Sequence, residues 1–155
     1  MHRSSQLLLL FLFTYALLIS GCSNDSRDPS PNSATVKHVV DGDTIDIAIG
    51  GNTERVRLIG VNTPETKHPT KGVECFGPEA SAYTEKLLPV GTKLRVERDI
   101  EARDKYGRLL LYVYIANSNV FVNLDLVLKG FARPMVFEPN TAHKTDFAQA
   151  ATQAE

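Results

Sequence analysis

Four short stretches of this chain bring together the residue types needed to handle a phosphate group. Asp41-Gly42-Asp43-Thr44 sets two carboxylates on either side of a turn-forming glycine. Arg57 interrupts the otherwise apolar run "VRLIGV". Asn62-Thr63-Pro64-Glu65 follows at once, and Asp104-Lys105-Tyr106-Gly107-Arg108 lies farther along. Each has a plain conformational reading when taken alone. Asp and Gly favour turns, Asn-Thr-Pro ends a strand, Tyr-Gly turns the chain, and a half-buried arginine needs only an internal carboxylate. Together they fit one reaction, the hydrolysis of a phosphodiester. That chemistry needs a hard cation with oxygen ligands, cationic forks for the phosphate oxygens and a group that accepts the proton of the attacking water. Asp43 offers a carboxylate, while Asn62 and Thr63 offer carbonyl or amide oxygen. Arg57 and Arg108 offer bidentate guanidinium groups, and Glu65 offers the base.

These residues must be held by rigid elements. "TVKHVV", then "DGD", then "TIDIAIGG" reads as strand, tight turn and strand, with Ile45, Ile47 and Ile49 alternating against Asp46 and Ala48. Gly50-Gly51-Asn52 turns the chain again, and "TERVRLIGV" continues as a third strand to Val61. A polar loop leads to a helix in "PEASAYTEKLLP", with Pro78 in its first turn and Pro89 closing it. "TKLRVERD" and "RLLLYVYIA" supply strands four and five, with Tyr112 and Tyr114 sharing a face. "NVFVNLDLVLKG" reads as a second helix ended by Gly130, and "HKTDFAQAATQAE" as a third. Five short strands with a helix between the third and fourth is the order of an OB-fold. The expected class is therefore α+β, a five-stranded β-barrel with three helices.

The first 34 residues stand apart. "LLLLFLFTYALLI" is too short to span a bilayer and fits the apolar region of a secretion signal. Ser20-Gly21-Cys22 follows it directly and resembles a lipobox. Residues 1–21 are expected to be a lipoprotein signal peptide, with Cys22 lipidated and residues 22–34 a disordered tether to the domain at 35–155. That places the domain outside the cytoplasm, on the membrane of a bacterial envelope, with an outer membrane plausible because Ser23 is not aspartate. Cys75 is then left as a free thiol without a catalytic role. The chain carries 17 Lys and Arg against 18 Asp and Glu, and losing Arg3 with the signal takes the net charge from −1 to −2. Overall charge therefore excludes binding of nucleic acid by a general basic field, so polyanion contacts must come from local placement of Arg and Lys.

Over roughly residues 35–155 the chain resembles the staphylococcal-nuclease-like (thermonuclease) family. "VVDGDTI", "VRLIGVNTPETKHPTKGVECFGPEAS" and "RDKYGRLLLYVYI" carry the likeness, in that order. The resemblance implies an OB-fold and Ca²⁺-dependent cleavage of DNA and RNA by a monomer, with single strands favoured. Arg57, Glu65 and Arg108 match catalytic residues. Asp43 matches a calcium carboxylate, and Thr63 matches a residue whose backbone carbonyl binds the ion. Lys105 and Tyr106 match contacts to a terminal phosphate, and Lys71 falls in a basic loop.

There are three departures from the family pattern. Asn62 stands where aspartate is common, which implies weaker calcium binding. Met135 and Phe137 stand where two tyrosines line a nucleotide pocket. The chain has no Trp and stops at Glu155, so the third helix is expected to dock less firmly. The competing expectation is a barrel that binds single-stranded nucleic acid without cutting it, and a third is a purely structural lipoprotein domain. The presence of Arg57, Glu65 and Arg108 together argues against the binding barrel and is left unexplained by the structural domain.

Overall fold

A computed structural model describes residues 32–66 and 72–154 of the chain. Both turn signals near the start form hairpins. β1 (Ser33–Asp41) pairs antiparallel with β2 (Thr44–Ile49), closing at Asp41 opposite Thr44. β2 pairs with β3 (Asn52–Leu58) from Thr44 opposite Arg57 to Ile49 opposite Asn52. Gly50 and Gly51 both have positive φ, 56° and 82°, the backbone that a two-residue hairpin of this twist requires and that a side chain resists. β1 starts at Ser33, two residues inside the stretch expected to be tether. Its first residues pair with the fourth barrel strand, β5 (Lys93–Glu97), and Ala34 is buried there.

The five barrel strands close in the order β1-β2-β3-β6-β5, where β6 is Leu109–Ile115. The closure depends on one parallel pairing, with Val56, Arg57 and Leu58 of β3 opposite Leu109, Leu110 and Leu111 of β6. β5 and β6 pair antiparallel. The OB-type barrel with three helices expected from the strand order is the architecture observed. Ile45, Ile47, Val56, Leu58, Leu94 and Val96 are all buried. β6 is buried from Leu109 to Tyr114, as expected of a strand covered on both faces. Tyr114 stacks on Phe121 at 4.5 Å between ring centroids, and Tyr112 meets the ring of His143 edge-on at the same distance.

Two further boundaries differ from the sequence expectation. The third strand does not run to Val61. It stops at Leu58, and Val61–Asn62 form a separate short strand, β4, paired with β7 (Arg133–Pro134). Gly60 makes this break. Its φ is +83°, and a Cβ built on it would lie 2.0 Å from Cε2 of Phe147. The second helix, α2 (Val122–Leu128), starts three residues late, because Asn119 turns the chain at φ 56°. The first, α1, covers Gly77–Leu87, and the third, α3, covers Lys144–Ala154. α3 docks through buried Phe147 and Ala150, and His143 just before it approaches Glu97 of β5 at 3.3 Å.

Asn123 joins these layers. It is fully buried in α2, accepts from Val113 N–H at 2.9 Å and donates to the carbonyls of Ile59 and Leu111 at 2.9 and 3.2 Å. One side chain thus satisfies backbone groups where β3 breaks away from β6, groups that would be expensive to bury unpaired.

Gly60→Ala is expected to cost about 3 kcal/mol, combining left-handed backbone strain with overpacking against Phe147. Gly91→Ala, at φ +92° with nothing within 4 Å of the added methyl, is expected to cost only about 1 kcal/mol. Urea unfolding of the two variants checks this, and equal losses would show that Phe147 does not hold the break.

Candidate active site

The site is built at the β1–β2 turn. Asp41 accepts from Gly42 N–H at 2.8 Å, which folds the turn onto its own side chain. Gly42 is needed for space: a Cβ there would meet Thr63 Oγ1 at 2.7 Å. Its carbonyl accepts from Thr84 Oγ1 of α1 at 2.7 Å, so the helix buttresses the turn. Asp43, next along, is buried and its carboxylate organises the centre. Oδ2 accepts from Thr63 N–H at 2.9 Å and lies 3.0 Å from Nη2 of Arg57, while Oδ1 accepts from Thr44 Oγ1 at 3.1 Å.

Arg57 is only 5% exposed. Its Nη1 donates to the carbonyls of Leu58 and Val61, and its Nη2 donates to Oδ1 of Asn62 at 3.0 Å. Phe137 lies with its ring centroid 5.3 Å from the guanidinium carbon. Burial pulls the Arg57 pKa below its ordinary value; Asp43 opposes the shift, and the like charge of Arg108 adds to it. An arginine remains charged even so. The effect is a desolvated cation fixed in place, with another guanidinium close enough to be felt.

Arg108 is held by its own loop. Nε donates to Asp104 Oδ2 at 2.6 Å, while Asp104 Oδ1 accepts from the backbone N–H groups of Tyr106 and Arg108, both at 2.9 Å. Burial alone would raise the Asp104 carboxyl. The bonds from Arg108 and Tyr106 outweigh it and hold the group below the usual carboxylate value. The terminal nitrogens of Arg108 have no partner among the described residues. Tyr106 is exposed, with Arg108 and Lys105 at 5.4 and 5.0 Å from its ring centroid.

Glu65 is half-buried. Its backbone N–H donates to Glu74 Oε2 at 3.0 Å, its carbonyl accepts from Glu74 N–H at 2.8 Å, and its Oε1 accepts from Thr66 N–H at 3.1 Å. Asp41 secures the next residue, accepting from Thr66 Oγ1 at 2.7 Å. Asp41, which carries no catalytic or metal role in the sequence expectation, joins the turn to the loop that carries Glu65. The pairing of two acids across one glycine was the available signal.

The oxygens here fit a hard divalent cation in kind. Thr63 Oγ1 is buried without a hydrogen-bond partner among the described residues, next to the Asp41–Asp43 turn and the Thr63 carbonyl. The carboxylate, hydroxyl and carbonyl oxygens gathered here are of the kind that an ion of the calcium or magnesium type takes, with Arg57 Nη2 and Asn62 Nδ2 bonded to two of them. Asn62 is less ready. Its oxygen accepts from Arg57, and its Nδ2 donates to the Thr63 carbonyl at 3.3 Å. No three His, Cys, Asp or Glu side chains converge on a metal position among the described residues.

The structure therefore brings Asp43, Arg57, Asn62 and Thr63 into direct contact. Arg108 reaches the same field, and Phe137 packs beside Arg57. Met135, 42% exposed, donates its N–H to the Gly60 carbonyl on the same wall. Lys71 and Cys22 lie outside the described residues.

Residues 55–155 match the family described as "Staphylococcal nuclease homologue". The chain is 38% identical over 148 residues to the thermonuclease of Staphylococcus intermedius, covering 96% of this chain and 86% of that protein. It is 41% identical over 117 residues to endonuclease YncB of Bacillus subtilis, 74% of this chain and 54% of the relative. It is also 41% identical over 123 residues to the prophage-derived endonuclease YokF of the same organism, 78% and 40%. With the barrel, the break at Gly60 and the Asp43–Arg57 centre in place, the chain belongs to the staphylococcal nuclease family.

Proposed function

We propose that this chain is a calcium-dependent nuclease that hydrolyses phosphodiester bonds of DNA and RNA. The observation that carries this reading is the oxygen-lined corner of Asp41, Asp43 and Thr63 set directly against a buried guanidinium. The similarity to a thermonuclease and to endonucleases supports it. A pure binding surface has no use for a cation buried at this cost or for a carboxylate base in the loop that follows Thr63.

Asp43, the Thr63 carbonyl and Asn62 are the residues that would hold the ion, which when bound would polarise the phosphate and activate water. Arg57 offers its remaining donor capacity to a phosphate oxygen without needing to reorganise, because two backbone carbonyls, Asp43 and Asn62 already fix its plane. Arg108 presents its terminal nitrogens to the same phosphate, braced by Asp104. Glu65 accepts a proton from the attacking water. The guanidinium groups stabilise charge and do not supply the proton to the leaving oxygen, since arginine holds its proton too tightly. Lys105 and Tyr106 border Arg108 where a terminal phosphate would sit, and Met135 and Phe137 supply apolar surface for a base or sugar but no hydroxyl.

The membrane placement rests on sequence alone: an apolar segment followed by Ser20-Gly21-Cys22 supports lipidation of Cys22 and a site of action outside the cytoplasm. No helix among the described residues is long and apolar enough to cross a membrane.

Full-length chain mixed with single-stranded DNA and Ca²⁺ is expected to cut it, and a chelator is expected to stop cleavage. Glu65→Gln should lower turnover on the order of a hundredfold or more. Binding without cleavage would leave a nucleic-acid-binding module instead. Asn62→Asp restores a negative ligand and frees the Thr63 carbonyl from the amide, so calcium affinity measured by calorimetry should rise on the order of tenfold, with turnover retained. Unchanged affinity would remove Asn62 from the ion's surroundings. Cys22→Ser should abolish incorporation of labelled fatty acid and release the protein from the membrane fraction; continued labelling would defeat the anchor.

A further inference from the structure

Phe76 is an unexplained residue beside this site. It sits at the N-cap of α1 with φ 70° and ψ 2°, a left-handed conformation that bulky side chains avoid. It makes no side-chain cap hydrogen bond and keeps 48% of its surface exposed. Neither helix capping nor core burial therefore explains a phenylalanine there, and strain of this kind persists where something else over-determines it.

Its ring forms the open end of a ladder. Phe76 stacks on Phe131 at 5.7 Å between centroids with the planes 15° apart, and Phe131 stacks on Tyr83 at 4.2 Å and 17°. Tyr83 is tied down by its hydroxyl, which donates to Asp125 at 2.7 Å. The ladder is thus anchored at one end and exposed at the other.

Backbone links place that exposed end beside the site on two sides. Glu74 exchanges hydrogen bonds with Glu65, and Gly77 packs so closely that a Cβ would lie 2.9 Å from the Glu65 carbonyl. On the other side, Arg133 of β7 stands opposite Asn62 of β4, and Phe131 lies two residues before it. Arg133 is exposed.

Resting on the nuclease reading, we propose that Phe76, Phe131 and Arg133 form a subsite that guides a single-stranded nucleic acid past Glu65, a base stacking on Phe76 and a flanking phosphate meeting Arg133. An unpaired strand suits this surface because its bases have free π faces, whereas a duplex keeps its bases stacked on one another. The near-neutral balance of charges points the same way. With 17 Lys and Arg against 18 Asp and Glu, local contacts must hold the polymer.

The test uses full-length chain carrying Glu65→Gln, so that substrate survives, and a fluorescein-labelled thymidine 12-mer read by anisotropy with Ca²⁺ present. Adding Phe76→Asn, whose side chain tolerates the left-handed backbone, is expected to weaken binding about tenfold while the thermal midpoint holds or rises. Arg133→Gln should weaken it severalfold and flatten the salt dependence. With Glu65 restored, the Phe76 variant should raise KM for the 12-mer far more than it lowers kcat, and a matched duplex should be affected less. If wild-type chain cuts the 12-mer but both variants bind it unchanged, the subsite is overturned and the nuclease reading stands. If wild-type chain neither binds nor cuts, both fall together. If Phe76→Asn unfolds the protein, the ring serves packing and the subsite is again overturned, unless Arg133→Gln alone weakens binding in a folded chain.

Discussion

The Asp43–Arg57 pair is the constraint on which the rest of the site depends. Both partners are nearly shut off from water, and removing water from two charges is repaid only if their geometry is tight and their other polar atoms are satisfied. The surrounding structure meets that demand. Thr63 N–H and Thr44 Oγ1 donate to Asp43 alongside Arg57, and two carbonyls and Asn62 take up Arg57. Gly42 lets Thr63 come close enough to do so, and Thr84 pins Gly42 from the helix behind. Each of these choices follows from the cost of leaving a buried charge unpaired.

Asn62 changes the electrical balance of this centre. In the directly paired contact one carboxylate, Asp43, meets one guanidinium, Arg57, and Asn62 adds no charge to it. The amide satisfies the guanidinium with its oxygen and the Thr63 carbonyl with its nitrogen. An arriving cation must compete with that hydrogen bond for the carbonyl and with Arg57 for Asp43. A chain with an acid at this position would hold excess negative charge waiting for the ion.

Much of the barrel was legible in the sequence because its signals are local. Alternation at Ile45, Ile47 and Ile49, paired glycines at 50 and 51, Pro78 in the first turn of α1 and Gly130 after α2 each report one element through its own chemistry. The end of β3 was not legible. A lone glycine in "RLIGV" looks like part of a strand until Phe147, 87 residues on, is seen against it. β4 and β7 are two residues each, too short for any period to show. In the site, Arg57 stands out because a charge in an apolar strand needs a reason, and Glu65 because it follows that strand's end so closely. The ties from Asp41 to Thr66 and from Asn62 to Thr63 depend on rotamers that only the closed fold selects. Phe76 looked like an ordinary loop residue, since its backbone angle and its stacking partner are both properties of the folded chain.

The single parallel pairing of β3 with β6 makes catalytic competence a late product of folding. Arg57 stands opposite Leu110, so the two guanidinium groups come into one electrostatic field only after a loop of some fifty residues has closed. Hairpins β1–β2 and β2–β3 can form from neighbours in the chain, whereas this contact carries the entropy of a long closure and belongs to the slow, non-local class. A nascent or partly unfolded chain would hold Asp43, Arg57 and Glu65 near one another yet lack Arg108. The topology thus acts as a safeguard: a chain that has not finished folding does not possess the site.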